Sequence, residues 1–295
     1  MNSRILYAPL LLVLLVTPLQ AQQLRVFISV DMEGITGLVH GDQVSSDGKD
    51  YQMARRWMTE EANAAVQGAL DAGATEVVVN DSHGSMRNLI LADLHPSATL
   101  ITGSPKPLSM MQGIDATFGA VVFVGYHASE GTTDAVLDHT ISGGTVASIK
   151  VNGIEMPELG LNALLAGKFN VPVVFISGDK AVCEQAKNLL GSSVVTVAVK
   201  EGIGKRAAKT IPLKKAHELI RQNVKNAVER RTSIKPYTMK SPYTFELTFF
   251  RSSQADQAAV IPGARRLNTK TLSLSSQDAV EGFMFLRGLI MLGSN

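Results

Sequence analysis

The stretch RVFISVDMEGITG runs from Arg25 to Gly37. An apolar, β-branched run ends at Val30, and two carboxylates follow, Asp31 and Glu33, one residue apart. Like charges repel, and at the mouth of a buried strand little water is left to screen them. Either something positive stands between the two acids or they share a proton. The fold and the chemistry both follow from which it is.

Runs of the same texture recur along the chain. They are LRVFISV (24–30), EVVVN (76–80), AVVFVGY (120–126), VPVVFIS (171–177) and VVTVAV (194–199). Near-continuous apolar runs of this length fit strands covered on both faces, as in a parallel sheet. Helical spacing fills the gaps: 51–73, closing on Gly73; 157–170, opening with Pro157 at the first helical position; and 178–191, closing on Gly191. Strands alternating with helices predict an α/β fold, a mainly parallel sheet flanked by helices.

Past residue 200 the pattern changes. A basic amphipathic helix is expected over 213–231, partly alternating strands over 243–250 and 270–276, and a closing apolar helix over 278–292. We read 22–200 as an α/β metal-binding catalytic core and 201–295 as a smaller α+β lobe. With 295 residues, 45% of them hydrophobic, the chain is long enough to bury a full core. A formal charge of +2 with no Lys/Arg block excludes nucleic acid as the expected partner.

Residues 1–21 stand apart. Arg4 precedes an apolar run from Ile5 to Val16, and Leu19-Gln20-Ala21 offers a small-residue cleavage site. This is the pattern of a secretory signal peptide. The run is shorter than the ~20 residues of a membrane span, so cleavage, export to the periplasm and no stable membrane insertion are expected. The single cysteine, Cys183, falls on the inner side of a helical pattern; it allows no intrachain disulfide and reads as a small apolar filler.

In open α/β sheets, ligands sit beyond the carboxyl ends of the strands. Asp31 and Glu33 follow the first strand, Asp81 and His83 the second, His127 the third and Asp179 the fourth. His139 and Glu158, the latter at a helix start, are further candidates. His40, His95 and His217 read as incidental or solvated. Asp31, Glu33, His83, His127 and Glu158 together form a nitrogen–oxygen ligand set without thiolate. It suits Zn²⁺, with Mn²⁺ or Co²⁺ as alternatives. Five such ligands exceed what one catalytic zinc takes and fit two metals sharing a carboxylate.

The motifs SVDMEGITG, VNDSHGSM, GYHA, the following His139 and PELGLNALLAG, in this order, resemble the zinc-dependent D-aminopeptidases of the dipeptide-operon type. The resemblance spans essentially the chain after the leader. It implies two zinc ions per subunit on Asp31, Glu33, His83, His127 and Glu158, with Asp31 bridging and His139 catalytic. It also implies hydrolysis of N-terminal D-residues, D-alanine above all, from short D-amino-acid-containing peptides, and a ring-like homodecamer.

Two other readings compete. VFISVDMEG, VVVNDS and SGDK also look like the motifs of haloacid-dehalogenase-type phosphatases, which would make Asp31 a phosphorylated nucleophile beside one Mg²⁺. That chemistry has no use for His83 and His127. The third reading is a non-catalytic exported metal- or peptide-binding protein.

Overall fold

The computed structural model describes residues 23–294. The expected leader, residues 1–21, lies outside them. In chain order the first elements are β1 (Arg25–Val30), α1 (Gly41–Val44), α2 (Tyr51–Asp71), β2 (Glu76–Asp81), β3 (Ala98–Ile101) and β4 (Phe118–Tyr126). There follow β5 (Val146–Val151), β6 (Ile154–Glu155), α3 (Glu158–Lys168), β7 (Val173–Asp179), α4 (Lys180–Leu190), β8 (Val195–Gly204) and β9 (Ala207–Thr210). The chain closes with α5 (Leu213–Glu229), β10 (Tyr243–Phe249), α6 (Ser252–Ala258), β11 (Arg265–Arg266), β12 (Thr271–Ser276) and α7 (Ala279–Gly293).

Seven strands form the main sheet in the order β3-β2-β1-β4-β7-β8-β9. Every pairing in it is parallel except β8 with β9. The mainly parallel α/β sheet expected from the apolar runs is therefore present. A second sheet, β11-β12-β10-β5-β6, is antiparallel throughout.

Alternation along β1 divides the core. Val26, Ile28 and Val30 face α2 and α5, against Met58, Ala62, Ile220 and Val224. Phe27 points the other way, edge-on to Phe118 at 5.5 Å. That side holds α3 and α4 and runs on through Phe245, Leu247 and Phe249 into the small sheet and α7. Both faces of β1 are thus covered, which is why its sequence is apolar without a polar stripe. Cys183 is free and packed in this core, where burial pushes its thiol up to about 12.

Elements fall on both sides of the expected division at residue 200. β8 continues to Gly204, β9 pairs with it, and α5 lies against α2, so 201–229 is built onto the large sheet. Conversely β5 and β6 leave the N-terminal part of the chain to complete the small sheet. The signal for β5 was the alternation in its second half, SIKV, with Ile149 and Val151 buried. Pro157 is the N-cap of α3 rather than its first helical residue, which makes Glu158 the first.

The loop after β1 is built by backbone contact. Asp31 N donates to the Val124 carbonyl and Gly34 N to the Gly125 carbonyl, both at 2.8 Å. A Cβ on Gly34 would stand 1.9 Å from the Tyr126 carbonyl oxygen, so only glycine lets the loop lie against the end of β4. From the other side the buried Lys200 ammonium donates to the carbonyls of Glu33, Ile35 and Leu38. Glu61 on α2 accepts from Thr36 N at 2.8 Å. A buried cation and a buried acid, neither apparent from strand-end spacing, therefore shape the loop that carries Asp31 and Glu33.

Two outcomes are expected from this packing. Gly68 of α2 faces α5, and a Cβ there would lie 2.4 Å from the Arg221 carbonyl oxygen. Alanine is the better helix former by about 1 kcal/mol. The clash outweighs it, and Gly68→Ala should lower unfolding stability by about 1–3 kcal/mol in denaturant titration. Burial raises Glu61 to about 7 from its ordinary 4.5. Between those values the folded chain holds a proton that the unfolded chain releases, so stability falls as pH rises through that window. Glu61→Gln has no such proton and should gain on wild type by up to about 3 kcal/mol between pH 4.5 and pH 8. Parallel pH–stability curves for the two proteins would refute it.

Candidate active site

The carboxyl ends of β2, β1 and β4, three neighbours at the centre of the sheet, place Asp31, His83 and His127 side by side. Glu33 arrives on the loop that Lys200 holds, and Glu158 on the first turn of α3. All six residues singled out in the sequence come together. Two groups form, each with ligand atoms within 4.8 Å of one another: Asp31, Glu33 and His83, and His127, His139 and Glu158. Asp31 joins them. Its Oδ1 lies 3.4 Å from His83 Nδ1 and its Oδ2 3.4 Å from His127 Nε2.

The three imidazoles are held alike. His83 Nε2 sits 2.7 Å from the Val44 carbonyl, His127 Nδ1 3.0 Å from that of Ala128, and His139 Nδ1 2.9 Å from that of Leu137. Each ring donates one N–H to backbone and turns its other nitrogen toward the acids. Metal-ligating histidines are oriented this way, because the outer hydrogen bond fixes the tautomer. His139 stacks on His127 with ring centroids 4.1 Å apart, and its Nε2 is 3.8 Å from Glu158 Oε1. Glu158 Oε1 also accepts from Ile141 N at 2.6 Å.

The electrostatics demand positive charge. Burial, then the charge of Glu33, raises the pKa of Asp31. Burial opposes ionisation of Glu33 as well, but His83, followed by His139 and His127, carries its pKa well below the usual range. Burial likewise opposes charge on His83, and Glu33 and Asp31 more than reverse it; Glu158 and Asp31 do the same for His127. Protonated rings or cations could each supply the charge, and distance separates the two answers. A charge-assisted N–H···O bond contracts to ~2.7–2.9 Å. Ligand atoms ~2.0–2.1 Å from a tetrahedral zinc stand roughly 3.3 Å from each other. The pairs His83–Asp31, His127–Asp31 and His127–Glu158 are 3.4, 3.4 and 3.5 Å apart, beyond such a bond, while His83 Nδ1 and Glu33 Oε2 at 3.0 Å are within hydrogen-bond reach. Asp31 Oδ2 and His127 Nε2 are both buried without any hydrogen-bond partner. The residues fit a metal pair.

Not every strand-end acid joins. Asp81 turns back to accept from the backbone of Asn88 and Leu89, and shapes the turn that carries His83. Asp179 caps α4 through Val182 N and accepts from Val136 N. Lys180 lies on the surface beside Glu201. The SGDK stretch therefore offers no second acid to a phosphatase-type centre around Asp31. His40 has a role the sequence did not suggest: its ring accepts from Asp42 N and caps α1.

A cavity of about 210 Å³ opens from the cluster. Asp31, His83, His139 and Glu158 line one part of it; Met86, Met110, Leu161, Phe283 and Ile290 supply apolar wall, and Asn162 and Arg287 are also on it. Asn162, Arg287 and the loop-shaping Lys200 escaped the sequence reading, because each lies within a helix or strand rather than just after one.

Comparisons with known proteins identify the family. The model of the D-aminopeptidase family matches residues 24–287. A Bacillus subtilis D-aminopeptidase is 38% identical over 261 residues, which cover 88% of this chain and 94% of that one. The solved structure of a B. subtilis Zn-dependent D-aminopeptidase, described as a self-compartmentalizing protease, superposes with a TM-score of 0.89 at 36% identity, over 92% of this chain and 98% of that one. Extent and order of the match set aside both the phosphatase reading of Asp31 and the non-catalytic reading, and the chain belongs to the D-aminopeptidase family of peptide hydrolases.

Proposed function

We propose that this enzyme is an exported zinc aminopeptidase that releases N-terminal D-residues, D-alanine in particular, from short peptides. The observation that carries the metal reading is the set of three His–carboxylate separations of 3.4–3.5 Å at Asp31 and His127, with Asp31 Oδ2 and His127 Nε2 buried and without hydrogen-bond partners. Asp31, Glu33, His83, His127 and Glu158 would hold two zinc ions, with Asp31 shared. When bound, the ions supply the charge that lowers a water's pKa toward ~7 and polarises the scissile carbonyl.

The chain's own residues do the rest. The substrate's free α-amino group, docked at the cluster as the neutral amine, sets the register for one-residue release. His139 takes a proton at Nε2 from the attacking water and delivers it to the departing amine nitrogen, its ring held by Leu137 on one side and stacked on His127. The apolar wall of Met86, Met110 and Leu161 excludes water and takes small side chains.

The leader-like residues 1–21 support export to the periplasm. No helix among the described residues is long and apolar enough to cross a membrane. A ring-like homodecamer with enclosed active sites is supported by the self-compartmentalizing description of the B. subtilis protein. The exposed Met284 and Phe285 on the outer side of α7 offer apolar surface for subunit contact.

Purified enzyme should cleave D-alanyl p-nitroanilide and not its L-isomer, lose activity to a chelator and regain it with Zn²⁺. L-selectivity, or turnover indifferent to chelation, would reject the proposal. His139→Ala should lower kcat by about 10²–10⁴-fold while metal content stays near about two per subunit. Asp31→Asn should lower metal content itself. Loss of metal from the His139 variant would make His139 a ligand instead.

A further inference from the structure

Helix α7 is strongly apolar, and Glu281 and Arg287 are its only charged residues. Glu281 is tied to Ser276. Phe283, Arg287, Ile290 and Met291 fall on one helical stripe, and that stripe lines the same cavity as Asp31, His139 and Glu158. Among the described residues, Arg287 is the only lysine or arginine on the cavity wall. The nearby Lys106 ammonium turns away, onto the Asn80 side chain and the Asp81 carbonyl.

Arg287 is held but not used up. Its Nη1 donates to the carbonyls of Lys106 and Pro107, and among the described residues Nε and Nη2 make no hydrogen bond to protein. No carboxylate pairs with it there; burial alone moves its pKa, and downward. A guanidinium presents a planar fork suited to bidentate carboxylate binding. Here one edge is anchored and the rest is free, on the wall of a cavity that also holds the acid cluster.

The cavity is small. Its volume of about 210 Å³ lies below the ~300–1,000 Å³ usual for ligand pockets. A dipeptide carries an ammonium at one end and a carboxylate at the other. The cavity carries the acid–imidazole centre at one part of its wall and a free guanidinium at another, a place for the end that releases the first residue and a place for the carboxylate.

We propose that Arg287 binds the C-terminal carboxylate of the substrate, so that the enzyme selects free-acid di- and tripeptides over longer or C-terminally blocked chains. This rests on the aminopeptidase reading and adds what that reading leaves open, the limit on substrate length. Arg287 acts in binding and touches no reacting atom.

The test compares D-alanyl-D-alanine with D-alanyl-D-alanine amide on the zinc-loaded enzyme. Wild type should favour the free acid by about tenfold or more in kcat/KM, chiefly through KM. Arg287→Met should raise KM for the acid enough to bring the two substrates within about threefold, and Arg287→Lys should restore part of the preference. Equal kcat/KM for acid and amide in wild type would overturn the proposal without any variant. So would an Arg287→Met enzyme that loses both activities alike, since that marks a residue that only props the 106–107 loop. Cleavage of neither substrate by wild type would instead bring down the D-aminopeptidase reading underneath.

Discussion

Buried negative charge is the constraint on which this structure depends. Asp31, Glu33 and Glu158 are each 5% exposed or less and converge within a few ångströms. Three carboxylates cannot stay ionised there without compensating positive charge. The imidazoles of His83, His127 and His139 face them, each pinned from behind by a backbone carbonyl. Around Asp31 and His127 the spacings are longer than ion-pair hydrogen bonds, which leaves room there for a cation.

The fold serves that convergence. Parallel strands bring their carboxyl ends to one edge, and adjacency of β2, β1 and β4 puts three chain segments within reach of one point. The loop after β1 needs more, since it carries two of the acids and runs against the end of β4. Gly34 permits the approach, and Lys200 and Glu61 hold the loop from behind. Lys200 is itself buried, and burial lowers its pKa to about 8. Three carbonyls take its hydrogen bonds while the charges of Asp179, Glu61 and Glu33 favour it, so the loop and the ammonium depend on each other.

Much of this was legible in the sequence because the signals were local. The apolar runs at 25–30, 76–81 and 118–126 are covered on both faces, which erases polar alternation and marks parallel strands. The acids and histidines just after them carry the site because strand ends are where such a sheet presents its chemistry. What escaped was set by contacts distant in sequence. β5 is a short strand whose partner, β10, lies about a hundred residues on. Lys200 sits inside a strand pattern, and Arg287 inside an apolar helix, where a lone cation looks like a solvated exception. Asp81 and Asp179 show the converse: each stands at a strand end, yet each is absorbed by backbone amides of a turn or a helix cap.

The account is tested most directly by a crystal structure of the purified enzyme with anomalous data collected at the zinc edge. Two peaks are predicted, one enclosed by Asp31, Glu33 and His83 and the other by Asp31, His127 and Glu158. An anomalous map without peaks, over side chains drawn into short N–H···O contacts of ~2.7–2.9 Å, would show that protons and not metals neutralise the cluster.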